Sequence, residues 1–303
     1  MDPATRRVIA VVGPTAAGKS DLAVELALRL GGEVINADSM QLYRGMDVGT
    51  AKLAPAERRG VPHHLLDVWE VTRTASVAEY QDLARRAIDE VRGRGRVPLL
   101  VGGSGLYVRA ALDDLEFPGT DPAVRARLEA ELAEHGPGPL HERLRAQDPP
   151  AAEAILISNG RRIVRALEVI EISGRPFTAT LPAYRYLGDA VQIGLTVPRA
   201  DLDERIGLRV RRMWEAGLVE EVRTLEAAGL REGLTAGRAL GYAQVLRALA
   251  GEWTPEQAIE ETARATRRFA RRQESWFRRD PRVRWLRYDA PDLLEQALAV
   301  VRA

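Results

Sequence analysis

A glycine-rich loop near the amino end of the chain connects a short apolar segment to an amphipathic one. The segment from Val8 to Val12 is apolar and β-branched and predicts a strand, and leucines and alanines recur at helical spacing between Ser20 and Leu30. The intervening loop, which begins at Gly13, reads Gly-Pro-Thr-Ala-Ala-Gly-Lys-Ser and matches the pattern G-x-x-x-x-G-K-[ST]. In such a loop, backbone N–H groups and the positive end of the following helix converge on phosphate oxygens. The sequence therefore predicts a di- or polyphosphate ligand, and whether that ligand is ATP stays open.

Two further apolar strands are predicted at residues 33–37 and 97–101, and the second runs into another helical pattern. Strands that alternate with helices favour a parallel sheet. From about residue 113 to 188 the alternation gives way to helical segments separated by proline and glycine, and residues 191–197 predict a strand that returns to the sheet. We therefore expect an α/β fold, with a P-loop NTPase-like parallel sheet flanked by helices at residues 1–113 and 189–303 and an inserted helical domain at 114–188.

The composition excludes several classes of protein. With 303 residues, of which 46% are hydrophobic, the chain is long and apolar enough to bury a core, which argues against disorder. The absence of cysteine excludes a disulfide framework, a thiolate nucleophile and a cysteine-ligated metal site, and it suits a reducing compartment. The stretch from Met1 to Arg7 is polar, and the apolar segment after it is too short for a signal peptide or a membrane span. We expect a cytoplasmic protein with no membrane partner.

Nearly all the basic residues are arginines, and many of them lie in one segment of the chain. Of the 44 lysines and arginines only Lys19 and Lys52 are lysine, which raises the question of whether a compact ammonium is needed at those two positions. The segment from Arg264 to Arg287 holds ten arginines against two acids, although the whole chain has a net charge of only +1. We expect one helix here that buries aromatic side chains and turns its arginines outward to bind a polyanion. An ordinary amphipathic helix is the alternative.

One acidic residue is expected beside the loop. P-loop NTPases normally place an aspartate at the end of a second strand, where it holds Mg²⁺. The predicted strand 97–101 ends in Gly102 and Gly103 instead, and the nearest acid at a strand end is Asp38. At the carboxyl edge of the sheet Asp38 would serve Mg²⁺ or act as a base on a nucleophile. A turn former or helix cap is the alternative interpretation.

Further candidates follow from spacing. Arg205, Arg209 and Arg212 share one helical face, where they would contact the ligand or form a solvated surface. His63 and His64 have no partner at metal-ligand spacing, so we expect structural histidines and no zinc.

Several segments together resemble the bacterial MiaA-type tRNA isopentenyltransferases, the tRNA dimethylallyltransferases of the IPP transferase family. The similarity runs in family order from residue 8 to about residue 288 and therefore covers nearly the whole chain. The segment 38–52 is the most diagnostic, since the glycine-rich loop alone also occurs in small-molecule kinases. The matching segments are residues 13–20, 38–52, 62–68, 101–107, 162–168, 241–242 and 271–277.

The resemblance implies transfer of a dimethylallyl group from dimethylallyl diphosphate to N6 of adenosine 37, 3′ of the anticodon, in tRNAs that read codons beginning with U. It implies that Asp38 is the general base and that Thr15 and Arg205 also take part in catalysis. Mg²⁺ would be the cofactor, with Ser20 as its protein ligand, and Lys52 would be a further phosphate contact. The implied diphosphate contacts are Gly13, Pro14, Thr15, Ala16, Ala17, Gly18, Lys19, Ser20 and Arg209.

The resemblance also implies a surface for the tRNA anticodon stem-loop. We expect a monomer that binds this RNA through the edge of the catalytic pocket, the end of the insertion and the basic segment. The implied contacts are Asp38, Ser39, Met40, Gln41, Ser104, Arg125, Arg161, Arg162, Arg165, Arg238, Gly241, Tyr242, Arg271, Arg272 and Gln273.

Three alternatives stay open at this point. An ATP-dependent small-molecule kinase would use the loop and the sheet but would leave the basic segment without a purpose. A nucleotide-regulated RNA-binding module would explain the basic segment but not Asp38. A prenyltransferase that acts on free adenine nucleotides would need no large polyanion-binding surface.

Overall fold

The computed structural model describes residues 7–177 and 183–303, and within them six parallel strands form one sheet in the order β3-β2-β4-β1-β5-β6. Residues 1–6 of the polar amino end and residues 178–182 of the predicted insertion lie outside the described residues. The predicted α/β fold class is confirmed. The strands are β1 (Val8–Val12), β2 (Gly32–Asn36), β3 (His63–His64), β4 (Val97–Gly102), β5 (Ala190–Thr196) and β6 (Val283–Arg287).

Helices connect the strands and cover the sheet. In chain order they are α1 (Lys19–Leu30), α2 (Val77–Gly93), α3 (Gly105–Leu112), α4 (Pro122–His135), α5 (Pro137–Gln147), α6 (Pro149–Ala154), α7 (Gly160–Ser173), α8 (Arg199–Glu215), α9 (Leu218–Ala227), α10 (Tyr242–Leu249), α11 (Pro255–Phe277) and α12 (Leu293–Arg302). A short 3-10 helix, Ala236–Arg238, precedes α10. No helix in the described ranges is both long enough and apolar enough to cross a membrane.

The central strands β1 and β4 are apolar and buried throughout because helices cover this part of the sheet on both sides, as parallel sheets require. Ile9 and Val11 of β1 are fully buried in one core, together with Leu26 of α1 and Leu298 of α12. Helix α2 packs against β2 and β4. Its Tyr80 hydroxyl donates to the carbonyl of Asn36 at 2.9 Å, which attaches this helix to the end of β2.

The basic segment does not form one helix, contrary to the prediction. Helix α11 ends at Phe277, and residues 283–287 form β6, which pairs with β5 at the edge of the sheet. The interruption has a local cause: Pro281 has no N–H to continue a helix and also disfavours helical backbone at Asp280.

The described chain divides into two compact units, one comprising residues up to Asp114 together with Tyr186–Ala303, and the other Leu115–Arg185. The second unit consists of α4 to α7 around its own core, which includes Leu128, Leu140 and Ile163.

Where the chain leaves and re-enters the first unit, its two segments are joined. Asp113 and Tyr186 form an isolated antiparallel bridge, and the Leu187 N–H donates to the Leu112 carbonyl at 2.8 Å. The Arg282 guanidinium bonds both Asp113 and Asp280 and lies 3.9 Å from the centre of the Tyr186 ring.

Candidate active site at the carboxyl edge of the sheet

The glycine-rich loop runs from β1 into the amino end of α1, as predicted. Gly13 has φ +134°, and a Cβ there would lie 2.9 Å from the carbonyl oxygen of Leu195 on β5, so the turn needs glycine. Gly18 caps α1 with φ +89°. The loop therefore brings its backbone and the first turn of α1, with Lys19 and Ser20, to one end of the sheet.

Lys19 is held inside its own loop. Its Nζ donates a 2.8 Å hydrogen bond to the carbonyl of Pro14. Burial and the nearby positive charge of Arg209 lower the pKa of Lys19 to about 8, although the Asp38 carboxylate acts in the opposite direction. Burial first, and then the neighbouring guanidinium, disfavour the charged form of Lys19 in the free protein.

The arginines of α8 contact the same loop region. Arg205 Nε donates to the carbonyl of Ala16 at 2.8 Å, and Arg209 donates to the carbonyl of Thr50 at 3.2 Å. Burial lowers the pKa of Arg209, and the negative charge of Asp38 acts in the opposite direction. Arg205, Arg209 and Arg212 line one cleft, as their spacing predicted.

Asp38 lies just beyond the end of β2 and is fixed by its neighbours. The Asn36 side chain accepts a hydrogen bond from the Asp38 N–H at 2.8 Å and donates one to the Asp38 carbonyl at 2.9 Å. Asp38 Oδ1 accepts from the Met40 N–H at 2.9 Å. A side chain at Gly102 would collide with the backbone of Ala37, so β4 approaches this turn closely.

Two adjoining cavities connect these groups. A small cavity of about 70 Å³ is lined by Thr15, Lys19, Ser20 and Asp38, with apolar side chains behind them. A cleft of about 1060 Å³ extends from the loop along α8. Lys19, Ser20 and Arg209 line both. The structure thus brings the glycine-rich loop and a carboxylate to one pocket.

The donor set of the pocket suits Mg²⁺ carried by a diphosphate. The Ser20 hydroxyl and the Asp38 carboxylate supply hard oxygen atoms, which this ion prefers. Among the described residues no three histidine or acidic side chains cluster as a metal site, so the phosphate oxygens would complete the coordination.

Lys52 has a structural environment. Its side chain is 3% exposed, and its Nζ bonds Asp47 Oδ1 at 2.5 Å, Asp67 Oδ1 at 2.6 Å and the Tyr43 carbonyl at 3.1 Å. These three acceptors suit a compact ammonium, which explains lysine here. Lys52 also lines the cleft beside the glycine-rich loop, and the phosphate contact expected for it stays a prediction.

The two histidines make structural hydrogen bonds. His63 Nδ1 lies 2.9 Å from the Val61 carbonyl, and burial lowers the pKa of His63. His64 Nε2 lies 2.6 Å from Glu33 Oε2, which Arg94 also contacts.

Four predicted RNA contacts surround Asp38. Ser39 donates its N–H to Ser104 Oγ at 3.2 Å, which joins the start of α3 to the loop after β2. Gln41 Nε2 donates to the Thr50 carbonyl at 3.2 Å and lines the small cavity. Ser39, Met40, Gln41 and Ser104 are each partly exposed.

The predicted contacts at α10 and α11 divide into exposed and buried residues. Arg238, Arg271 and Arg272 are exposed. Tyr242 is fully buried, with its hydroxyl donating to Glu221 Oε1 at 2.5 Å, and Gln273 is 6% exposed. The buried side chains of these two residues form hydrogen bonds inside the protein, and the RNA contacts predicted for them stay predictions.

In the helical unit, Arg161 and Arg162 are exposed at the start of α7. Arg125 and Arg165 both contact the fully buried carboxylate of Glu168, at 2.5 and 2.9 Å. The predicted contacts of this unit therefore comprise two exposed arginines and two that are ion-paired.

The sequence did not indicate the roles of two positioning residues: Glu221 was not singled out, and Gln273 was predicted only as an RNA contact. Gln273 Oε1 accepts from the Thr15 N–H, and Glu221 accepts from the N–H groups of Asp47, Val48 and Gly49. The partners lie more than 170 residues apart in the chain, so no local pattern pairs them.

Comparisons with known proteins show the family to which the chain belongs. Residues 41–280 match the model of the IPP transferase family. The tRNA dimethylallyltransferase of Thermobifida fusca is 74% identical over 299 residues, covering 97% of this chain and 94% of that protein. The corresponding protein of Streptomyces avermitilis is 72% identical over 293 residues, with coverage of 97% and 94%.

The solved structures that resemble this chain include transferases that act on tRNA. The tRNA isopentenylpyrophosphate transferase of Bacillus halodurans is 42% identical with a TM-score of 0.71, covering 98% of this chain and 95% of that one. A eukaryotic dimethylallyltransferase acting on tRNA, at 24% identity, shares the fold, with a TM-score of 0.84 and coverage of 97% and 78%. The chain belongs to the IPP transferase family.

Proposed function

We propose that this protein transfers the dimethylallyl group of dimethylallyl diphosphate to N6 of adenosine 37 in tRNAs that read codons beginning with U. The observation that carries the proposal is the single pocket lined by Lys19 and Ser20 of the phosphate-binding loop and by Asp38. High identity to proteins named tRNA dimethylallyltransferase supports the substrate assignment.

The loop binds the diphosphate of the prenyl donor. Negative charge grows on the departing diphosphate as the bond between its oxygen and the prenyl C1 breaks. Lys19, Arg205 and Arg209 surround the loop and stabilise that charge more in the transition state than in the ground state. Thr15 lines the small cavity together with Lys19 and Asp38. The diphosphate of the prenyl donor is therefore the leaving group, and the reaction needs no nucleoside triphosphate.

Mg²⁺ bound by the diphosphate and the Ser20 hydroxyl would neutralise part of the leaving group's charge. Ser20 is the protein ligand on the loop, and the Asp38 carboxylate stays available for the nucleophile.

Asp38 acts on the nucleophile. The exocyclic amine of adenine is weakly nucleophilic, so it needs orientation and a proton acceptor. The carboxylate accepts a hydrogen bond from N6, a bond forms between N6 and the prenyl C1, and the displaced N6 proton passes to Asp38. The hydrogen bonds from Asn36 hold the backbone of Asp38 during this transfer.

The RNA approaches as a folded anticodon loop. To reach the pocket, adenosine 37 leaves its stack, and phosphate contacts offset the cost of a few kcal/mol. The exposed arginines of α7 and α11 supply such contacts. We further propose that the protein acts on tRNA as a monomer in the cytoplasm.

Incubation with labelled dimethylallyl diphosphate, Mg²⁺ and unmodified tRNA, without ATP, tests the proposal. Label in the tRNA, located at position 37 by nuclease mapping, is the expected result. Two parallel incubations test the alternatives. With AMP added, label in AMP but not in tRNA indicates a prenyltransferase of adenine nucleotides. With ATP and small-molecule acceptors added, phosphorylation of an acceptor without RNA labelling indicates a kinase. RNA binding with neither chemistry indicates a binding module.

A further inference from the structure

The side chain of Gln273 connects the phosphate-binding loop to the sheet. Its Oε1 accepts a 2.9 Å hydrogen bond from the Thr15 N–H, and its Nε2 donates a 2.9 Å hydrogen bond to the Gly103 carbonyl. The residue is 6% exposed; its bond to the Gly103 carbonyl is buried and its bond from the Thr15 N–H is partly buried. The amide of Thr15 is therefore satisfied by helix α11.

Glycine at position 103 is required for this arrangement. A side chain there would collide with the Gln273 amide. Two residues further on, a side chain at Gly105 would collide with the indole of Trp276, which lies one turn beyond Gln273 on α11. Helix α11 thus lies directly against the turn that joins β4 to α3.

The same turn contacts the loop that carries the carboxylate. Ser104 lies between Gly103 and Gly105, and its Oγ accepts the Ser39 N–H at 3.2 Å, next to Asp38. Helix α11 thus bonds the diphosphate loop directly through Gln273 and is linked to the residues after β2 indirectly, through this turn.

The exposed face of α11 is basic next to Gln273. Arg271 and Arg272 immediately precede Gln273 and are exposed, as is Arg268 one turn earlier. An RNA phosphate that binds these arginines therefore acts on a helix whose inner face holds the Thr15 amide. A displacement of α11 would move Gln273 relative to both Thr15 and Gly103.

We propose that Gln273 is a positioning residue that couples binding of the RNA on α11 to binding of the diphosphate in the loop. This inference rests on the proposed function for the identity of the two ligands. By linkage, RNA tightens diphosphate binding and diphosphate tightens RNA binding by the same factor.

The test uses inorganic pyrophosphate with Mg²⁺ and an anticodon stem-loop RNA, with binding measured by calorimetry. In the wild-type protein we expect saturating RNA to lower the Kd of pyrophosphate by about fivefold or more, within the usual range of coupling. Gln273→Met, which keeps the side-chain length and removes both hydrogen bonds, should reduce this factor to less than about twofold, as a loss of coupling requires.

Two further variants isolate the effect. Gln273→Glu retains an oxygen acceptor for the Thr15 N–H but loses the donor to Gly103, and its negative charge should weaken pyrophosphate binding even without RNA. Ser275→Ala, an exposed position on the same helix, should leave the coupling factor unchanged. Thermal melting identifies any variant that has lost its fold.

Absence of coupling in the wild type, or an unchanged factor in a folded Gln273→Met protein, overturns the inference. A collapse of RNA affinity in Gln273→Met with pyrophosphate binding intact would instead make Gln273 a direct RNA contact. Because pyrophosphate binding is measured without prenyl transfer, failure of the proposed reaction is detected separately in the labelling experiment.

Discussion

The side chain of Asn36 holds the backbone of Asp38 at both ends, accepting from its N–H at 2.8 Å and donating to its carbonyl at 2.9 Å. The carboxylate that serves as the proposed base therefore projects from a fixed turn.

Asp38→Asn should slow prenyl transfer by about 100-fold or more, because the amide cannot accept the N6 proton. Its oxygen can still accept the Met40 N–H, so the loop should keep its shape. Single-turnover transfer and tRNA Kd are the measurements, and the Kd should stay within a few-fold. Loss of tRNA binding with normal turnover per bound complex would show that Asp38 is not the base.

Pyrophosphate binding should weaken above pH 8. The lowered pKa of Lys19, about 8, means that the ammonium of the free protein loses its proton as the pH rises through that value. Because the protonated form binds the anion, affinity should fall by up to about tenfold per pH unit beyond it. Calorimetry from pH 7 to 9.5 measures this. In Lys19→Arg, which stays charged, the inflection near pH 8 should disappear; an inflection that persists assigns it to another group.

The double variant Arg271→Gln and Arg272→Gln should weaken tRNA binding and flatten its salt dependence. If each side chain contacts a phosphate, the slope of log K against log salt should decrease by about 1.5. Filter binding between 50 and 300 mM salt provides the measurement. Arg29→Gln with Arg302→Gln, at the carboxyl ends of α1 and α12, is the matched control and should leave the slope unchanged. Equal slopes for the wild type and both double variants would show that α11 is not part of the RNA-binding surface.

Glu221→Ala should lower the free energy of unfolding by about 3 kcal/mol, since it leaves three loop N–H groups and the Tyr242 hydroxyl without their acceptor. Tyr242→Phe should cost about 1 kcal/mol. Glu220→Ala, which removes only an exposed ion pair with Arg223, should cost less than about 0.5 kcal/mol. Urea denaturation compares the three. A loss for Glu221→Ala no greater than for Glu220→Ala would contradict this role.

Local patterns were sufficient to predict the sheet and the loop. The strand β1, the loop and α1 follow one another within 23 residues, and their periodicity and glycine spacing fix the structure almost without long-range information. The position of Asp38 followed from the rule that the carboxyl ends of parallel strands meet at one edge.

The remaining features depend on contacts between distant segments. Composition identified the basic segment but did not show that Pro281 separates a helix from a strand. The role of Lys52 depends on Asp67, and the role of Gln273 depends on Thr15, which lies 258 residues away. A single sequence holds no signal for such pairs, since neither member alters the local propensity of the other. The sequence also did not show that Tyr242 is buried whereas arginines near it are exposed.

The antiparallel bridge between Asp113 and Tyr186 places the two junctions of the helical unit side by side. A turn of about two to four residues could therefore close the gap if residues 115–185 were removed, because hairpin connections of that length are common. The helical unit could therefore be deleted, or replaced by that of a relative, without a change in the order of the strands in the sheet.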